Sequence, residues 1–272
     1  MPVKVSVTVC LIPEAKGGPF VLWDNLAASI TQAASLGYDA VELFPPEPNA
    51  LDPANVKELL APHGLTVSAV GSGAGWVRHK LSLTHVDPIQ RTRAKEFVHE
   101  MIDFAVQLDA PVIIGSMQGR WDDAVKKEMA LSYLAEALNE LGAYAASRGQ
   151  MLLYEPLNRY ETNLLNTIED STRFLKGLST AGVKILADLF HMNIEEADIA
   201  NAIRQGGTQI GHIHFADSNR RPAGLGHMNF QPIVQAVRDI EFSGYFGAEA
   251  FPYPDPIAAA QQTISKFREL FA

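Results

Sequence analysis

Cysteine is nearly absent: Cys10 is the single one among 272 residues. No internal disulfide can form, so the fold must rest on its core, and a reducing cytoplasm is the expected compartment. No apolar run approaches the length of a membrane span, so no membrane partner is expected. The opening, MPVKVSVTVCLIPEAKGG, alternates like a strand. It has no basic end, long apolar run or small-residue cleavage site, and no signal peptide is expected. Basic clusters are missing too. The net charge is −9, and Arg220 with Arg221 are the only adjacent arginines. Neutralising phosphates needs a concentrated basic surface, so a general nucleic-acid binder is excluded. Linkers, low-complexity segments and internal repeats are also lacking.

What remains is ordinary globular composition, 47% apolar and 19% charged, enough for a sizeable core. Short β-rich runs alternate with longer helix-period runs from end to end, the signature of βαβ units around a parallel sheet. Eight strands are expected, at 3–10, 39–44, 65–71, 111–116, 151–157, 183–189, 209–217 and 245–251. Between them lie helical patterns such as DNLAASITQAASLG, DPIQRTRAKEFVHEMIDFAVQLD and DDAVKKEMALSYLAEALNELGAYAASRG, several opening on a capping Asp and closing on Gly. Eight strand–helix units in one domain spanning 1–272 is the arithmetic of a (β/α)8 TIM barrel, with the active site at the strands' carboxyl ends. A doubly wound open sheet is the competing architecture.

Polar residues near those strand ends are therefore the ones to weigh. The fifth strand is apolar until Glu155, the sixth until Asp188, the seventh carries His214 and the eighth Glu249. Side chains two apart share a strand face: Glu155 goes with Leu153, Asp188 with Leu186, and His214 with His212, which lies farther from the carboxyl end. Taken singly, each is more often a cap, an ion-pair partner or a structural histidine than a ligand. Taken together, three carboxylates aimed at one place would raise one another's pKa unless a cation sat among them. Oxygen-rich donors with one imidazole suit one divalent ion, Mn²⁺ first, with Mg²⁺ or Co²⁺ as alternatives.

At these residues the sequence resembles the sugar isomerase and epimerase branch of the xylose-isomerase-like TIM barrels, and most of all the D-tagatose (ketose) 3-epimerases and L-ribulose 3-epimerases. YEPLNRYE, DLFHMNIEE, GHIHFADSNRRPAGLG and GAEAFP are similar to that family's motifs on the fifth to eighth strands. The resemblance implies metal ligation by Glu155, Asp188, His214 and Glu249. It implies that Glu161, His191 and Arg220 hold the substrate's oxygens, and that Glu155 and Glu249 act on opposite faces of the reacting carbon. The implied activity is metal-dependent C3 epimerisation of a keto-sugar, and a homodimer or homotetramer is the implied assembly. An aldose–ketose isomerase of the hydroxypyruvate-isomerase kind shares much of the site. An apurinic-site endonuclease-like phosphodiesterase shares the barrel but needs histidines that this chain lacks. The chain departs from the family at Leu225, where close epimerases carry an acid, and in FPPEPNALDP and VGSGAGWVRHK, which replace the usual first-half loops.

Other features stay open between site and scaffold. GSGAG (71–75) lacks both the P-loop and the dinucleotide spacing and reads as a flexible turn at the pocket rim. Trp23, Trp76 and Trp121 fall near strand-to-helix loops, where an apolar wall for a sugar competes with ordinary packing. Glu42 reads as a structural group under the barrel rim or a hydrogen-bonding one in the site, and Gln118 as a contributor to the pocket. Arg221 reads as a surface charge or interface residue.

Overall fold

The computed structural model describes residues 3–23 and 25–271, and in it the alternation closes into a ring. The strands are β1 (Lys4–Cys10), β2 (Ala40–Phe44), β3 (Thr66–Gly71), β4 (Val112–Ile114), β5 (Leu152–Tyr154), β6 (Val183–Asp188), β7 (Ile210–His214) and β8 (Tyr245–Ala248). Each pairs in parallel with the next. Pairing of β1 with β8, from Lys4↔Tyr245 to Val7↔Ala248, closes the sheet. An open doubly wound sheet has two free edges, so this pairing rules it out. A two-residue strand, Leu22–Trp23, continues the same edge of β1 beside Val9 and Cys10; its shortness hid it in the sequence.

Most strands are shorter than their apolar runs. The fifth stops at Tyr154, because Pro156 has no N–H to give a ladder, and the eighth stops at Ala248. Glu155 and Glu249 therefore sit one residue beyond the strands, where the chain is free to turn them inward.

Helices cover the outside. The longest early one, Pro88–Gln107, starts as expected: the Asp87 side chain accepts the Ile89 N–H at 2.9 Å with Pro88 in the first turn. It buries Ala94, Phe97, Val98, Met101, Ile102 and Ala105, a spacing of three and four that makes one apolar stripe. Helix Leu26–Leu36 is capped by Asn25 and closes on Gly37, whose φ of +84° suits a residue without Cβ; the capping Asp expected at position 24 lies outside the described residues. The helix expected from Asp122 instead begins at Lys127 with no side-chain cap. Asp122 folds back on the Ala124 and Val125 N–H groups, making a turn that competes with helix. GSGAG is not a loose turn: Gly73 caps the short helix Ala74–His79.

The barrel interior holds polar groups. Ser6, Thr8, Glu42, His212 and His214 are all essentially inaccessible. β2 and β7 are three steps apart around the ring, so contact between Glu42 and the two histidines runs across the lumen. Two irregularities in register aim them. The β2–β3 ladder slips between Val41 and Glu42, and the β6–β7 ladder slips between Ile185 and Leu186, leaving Gly211 as the extra residue. Bulges re-aim side chains beside active sites, and a strand glycine marks one here.

Candidate active site

Four strand ends bring the candidates together. Nδ1 of His214 lies 3.3 Å from Glu155 Oε1, 3.5 Å from Asp188 Oδ2 and 3.6 Å from Glu249 Oε2. One donor atom from each residue falls within 4.8 Å of all the others, and all four residues are buried. Among the described residues, Glu155 Oε1, Asp188 Oδ2 and His214 Nδ1 have no hydrogen-bond partner. Buried polar atoms are ordinarily paired, so three orphans converging on one point fit a divalent cation there.

Charge points the same way. Burial, joined by the charges of Glu155 and Asp188, pushes the Glu249 carboxyl up to about 8, against the pull of His214 and Arg220. For His214 burial opposes the charged form, but Glu42, Glu249 and their neighbours hold its pKa well above the ordinary value. The carboxylates around it thus favour the charged imidazole. Asp188 resists burial and stays well below the usual carboxylate range, through His191, His214 and Arg220.

Asp188 has two tasks. Its Oδ1 caps the helix Leu189–Glu195, accepting the Phe190 N–H at 2.7 Å and the His191 N–H at 3.4 Å, while Oδ2 turns into the cluster. Capping fixes the carboxylate and starts the helix that places His191 one turn on. Nδ1 of His191 faces the Asn158 backbone N–H at 3.3 Å and the Asn158 side-chain amide at 2.7 Å. Accepting there leaves the proton on Nε2, which is unpartnered, 3.7 Å from Asp188 Oδ2 and 4.0 Å from Glu155 Oε1.

Arg220 closes the site from the loop after β7. Its Nη2 donates to Glu249 Oε2 at 2.7 Å and its Nη1 to Glu161 Oε1 at 3.4 Å, with the guanidinium 4.8 Å from the Phe190 ring. Glu161 accepts from Asn158 Nδ2 at 3.1 Å. The seven residues named from the sequence thus share one site.

Four further residues build it. Glu42 bridges His212 (2.7 Å) and His214 (2.9 Å), one carboxylate oxygen each; burial opposes its ionisation, yet the two rings hold its pKa at about 2. Asp217 ties the loop that carries Arg220, accepting the N–H groups of Ser218, Gly224 and Met228. Asn158 stands in the quoted YEPLNRYE and Asp217 in HFADSN, but only their fold neighbours disclose what they hold. Gln118 lies beneath the cavity instead of lining it: its amide donates to the Glu155 and Gly115 carbonyls, and it accepts from the Tyr154 hydroxyl. Trp76 lines the cavity, whereas the indoles of Trp23 and Trp121 donate to the Phe20 and Asn163 carbonyls. Arg221 stacks on Tyr253 at 3.9 Å.

A closed parallel barrel with buried Glu, Asp, His and Glu converging at the carboxyl ends of β5 to β8 defines a TIM-barrel enzyme with a centre consistent with a divalent metal. Residues 30–270 match the model of the xylose isomerase-like TIM barrel family. D-psicose 3-epimerase of Agrobacterium fabrum is 32% identical over 245 residues, covering 88% of this chain and 80% of that protein. L-ribulose 3-epimerase of Methylomonas sp. is 29% identical over 265 residues, covering 94% and 91%. The crystal structure of D-psicose 3-epimerase with D-tagatose from Clostridium cellulolyticum superposes with a TM-score of 0.84 over 99% of both chains at 24% identity, a likeness of fold. The chain belongs to the xylose isomerase-like TIM barrel family and, within it, to the ketose 3-epimerases, which are sugar isomerases.

Proposed function

We propose that the chain is a divalent-metal-dependent epimerase that inverts the carbon beside the carbonyl of a keto-sugar, C3 of a 2-ketose. The observation that carries this reading is the placement of Glu155 and Glu249 at the ends of β5 and β8, with Asp188, His191 and Arg220 between and around them. Glu155, Asp188, His214 and Glu249 would hold the ion, Mn²⁺ by the donor set, with Mg²⁺ or Co²⁺ able to replace it. Bound there, it would supply Lewis-acid stabilisation of the negative charge that develops on the substrate's carbonyl oxygen.

The chain's own residues do the rest. A proton beside a carbonyl is weakly acidic, so its removal needs a positioned base. One of Glu155 and Glu249 takes the C3 proton, and the other, carrying a proton, returns one from the opposite face of the planar enediolate. The roles exchange in the reverse reaction. His191 Nε2–H and Arg220 donate to the substrate's oxygens as charge builds on them. Glu161 accepts from a hydroxyl and keeps Arg220 in place.

Incubation with a 2-ketose and Mn²⁺ in deuterated water tests this. Deuterium should enter at C3, and Glu155→Gln or Glu249→Gln should cut exchange by about 10²–10⁴-fold. Undiminished exchange in either variant sinks the assigned roles, and label at C1 transfers the chain to the aldose–ketose isomerases.

A further inference from the structure

The cavity that reaches Glu155 and Glu249 encloses about 560 Å³, a volume typical of sites for drug-sized ligands and more than a single ketose fills. The reacting groups stand on one side, with Glu155, Glu161, Arg220 and Glu249 contributed by the chain after β5, β7 and β8. Another part of the lining comes from the chain after β3 and β4, in the half whose loops depart from the epimerase pattern. There the lining includes Trp76, His85, Val86, Arg120 and Asp122.

The chemistry of that part is specific. Trp76 is 39% exposed, with the Lys80 ammonium 5.2 Å from its ring. His85 accepts the Asp87 N–H at Nδ1, so its Nε2 carries the proton and is a donor. Arg120 and Asp122 are exposed at the rim and add a planar donor and an acceptor. An indole surface for the C–H face of a ring, in one cavity with a guanidinium, a carboxylate and an imidazole for its hydroxyls, is a combination that suits a sugar. The wall beneath is fixed: Thr84 donates to the Gln118 carbonyl and Ser72 to the Ile113 carbonyl. Arg120 and His85 could also meet a phosphate, but Asp122 shares their rim and the chain carries a net charge of −9, both of which weigh against a dianion.

We propose that this part of the cavity, lined by the chain after β3 and β4, is a second sugar subsite, and that the preferred substrate is a keto-sugar bearing a further sugar ring at a hydroxyl remote from the carbonyl. The proposal rests on the epimerase reading above. The linkage must leave the carbonyl free, since a glycoside at the ketose's own anomeric oxygen would block enolisation; the 6-hydroxyl of a 2-ketose meets that condition.

The test compares kcat/KM of the Mn²⁺-loaded enzyme on D-fructose, D-fructose 6-phosphate and 6-O-α-D-glucosyl-D-fructose, with C3 deuterium uptake read by NMR. The disaccharide should exceed D-fructose by about tenfold or more, mostly through KM. Trp76→Ala and Arg120→Ala should each collapse that ratio. Equal or better turnover of D-fructose overturns the subsite, and preference for the phosphate ester replaces it with an anion site. If no ketose exchanges its C3 proton, the epimerase reading fails by itself. Binding of the disaccharide but not D-fructose, lost in Trp76→Ala by titration calorimetry, then still supports the subsite, and its absence overturns it.

Discussion

Oε1 of Glu42 lies 2.9 Å from Nε2 of His214, which turns the ring's other nitrogen into the acidic cluster, 3.3 Å from Glu155 Oε1. A carboxylate behind a ligating imidazole fixes its tautomer and orientation and raises its basicity; loss of such a partner typically costs 10–100-fold in metal affinity. Glu42→Gln should therefore weaken Mn²⁺ binding by about that factor, measured by titration calorimetry, with circular dichroism confirming an intact fold. Unchanged affinity would show that Glu42 only fills the lumen.

Loading the site should release protons. The pKa of His214 is held well above its ordinary value and that of Glu249 is pushed up to about 8, so near pH 7 both carry protons in the metal-free protein, and ligation requires them gone. Calorimetric titration with Mn²⁺ in buffers of different ionisation enthalpy should report net proton release, with affinity rising as pH increases toward 8. Chelation should abolish epimerisation and lower Tm, and Mn²⁺ should restore both, because a ligand that binds only the folded state stabilises it. Proton-neutral binding would place the ion elsewhere.

The barrel and its candidate site were legible in the sequence for related reasons. Strands buried on both faces read as continuous apolar runs, and Glu155, Asp188 and Glu249 each interrupt or end such a run. His214 was separable from His212 by nearness to the carboxyl end. Glu42 was not resolvable, because its partners lie 170 and 172 positions away and meet it only across the closed lumen. Gln118 failed in the opposite sense: it follows a strand like a pocket residue, but it lies in the one-turn helix Ser116–Gln118 and its amide turns to the Glu155 and Gly115 carbonyls. The cap expected at Asp122 failed because a short-range Asx turn engaged its Oδ1 first.

Gly247 is closely packed against the groups beside the cluster. A Cβ there would stand 2.9 Å from His212 Nε2, 3.0 Å from Glu42 Oε2 and 3.2 Å from His214 Cδ2, and none of these rings or carboxylates can move without breaking the Glu42 bridge. Gly247→Ala should cost about 1–3 kcal/mol of stability and weaken Mn²⁺ binding in parallel. Chemical denaturation and calorimetry read the two effects separately. A stable variant with normal metal affinity would mean that the lumen yields more easily than its packing implies.

Asp217 should matter through the loop it ties. It is buried, with Oδ1 accepting from Ser218 at 2.7 Å and Met228 at 3.0 Å, and Oδ2 accepting from Gly224 at 2.8 Å. Its backbone carbonyl accepts the N–H of Arg220, which sits at φ of +57°. Burial raises the Asp217 pKa, but these backbone donors outweigh it and hold the carboxyl below the usual range. A depressed folded pKa means that the stabilisation is present above the unfolded value of about 3.9 and is lost as pH falls through the folded one. Asp217→Asn sets an amide N–H against a backbone N–H and should cost about 1–3 kcal/mol at pH 7, with KM rising because Arg220 loses its anchor. The difference from wild type, read from urea midpoints, should narrow when pH drops below about 3.9. A gap that stays constant into acid would show that the loop depends on the shape of Asp217 and not on its charge.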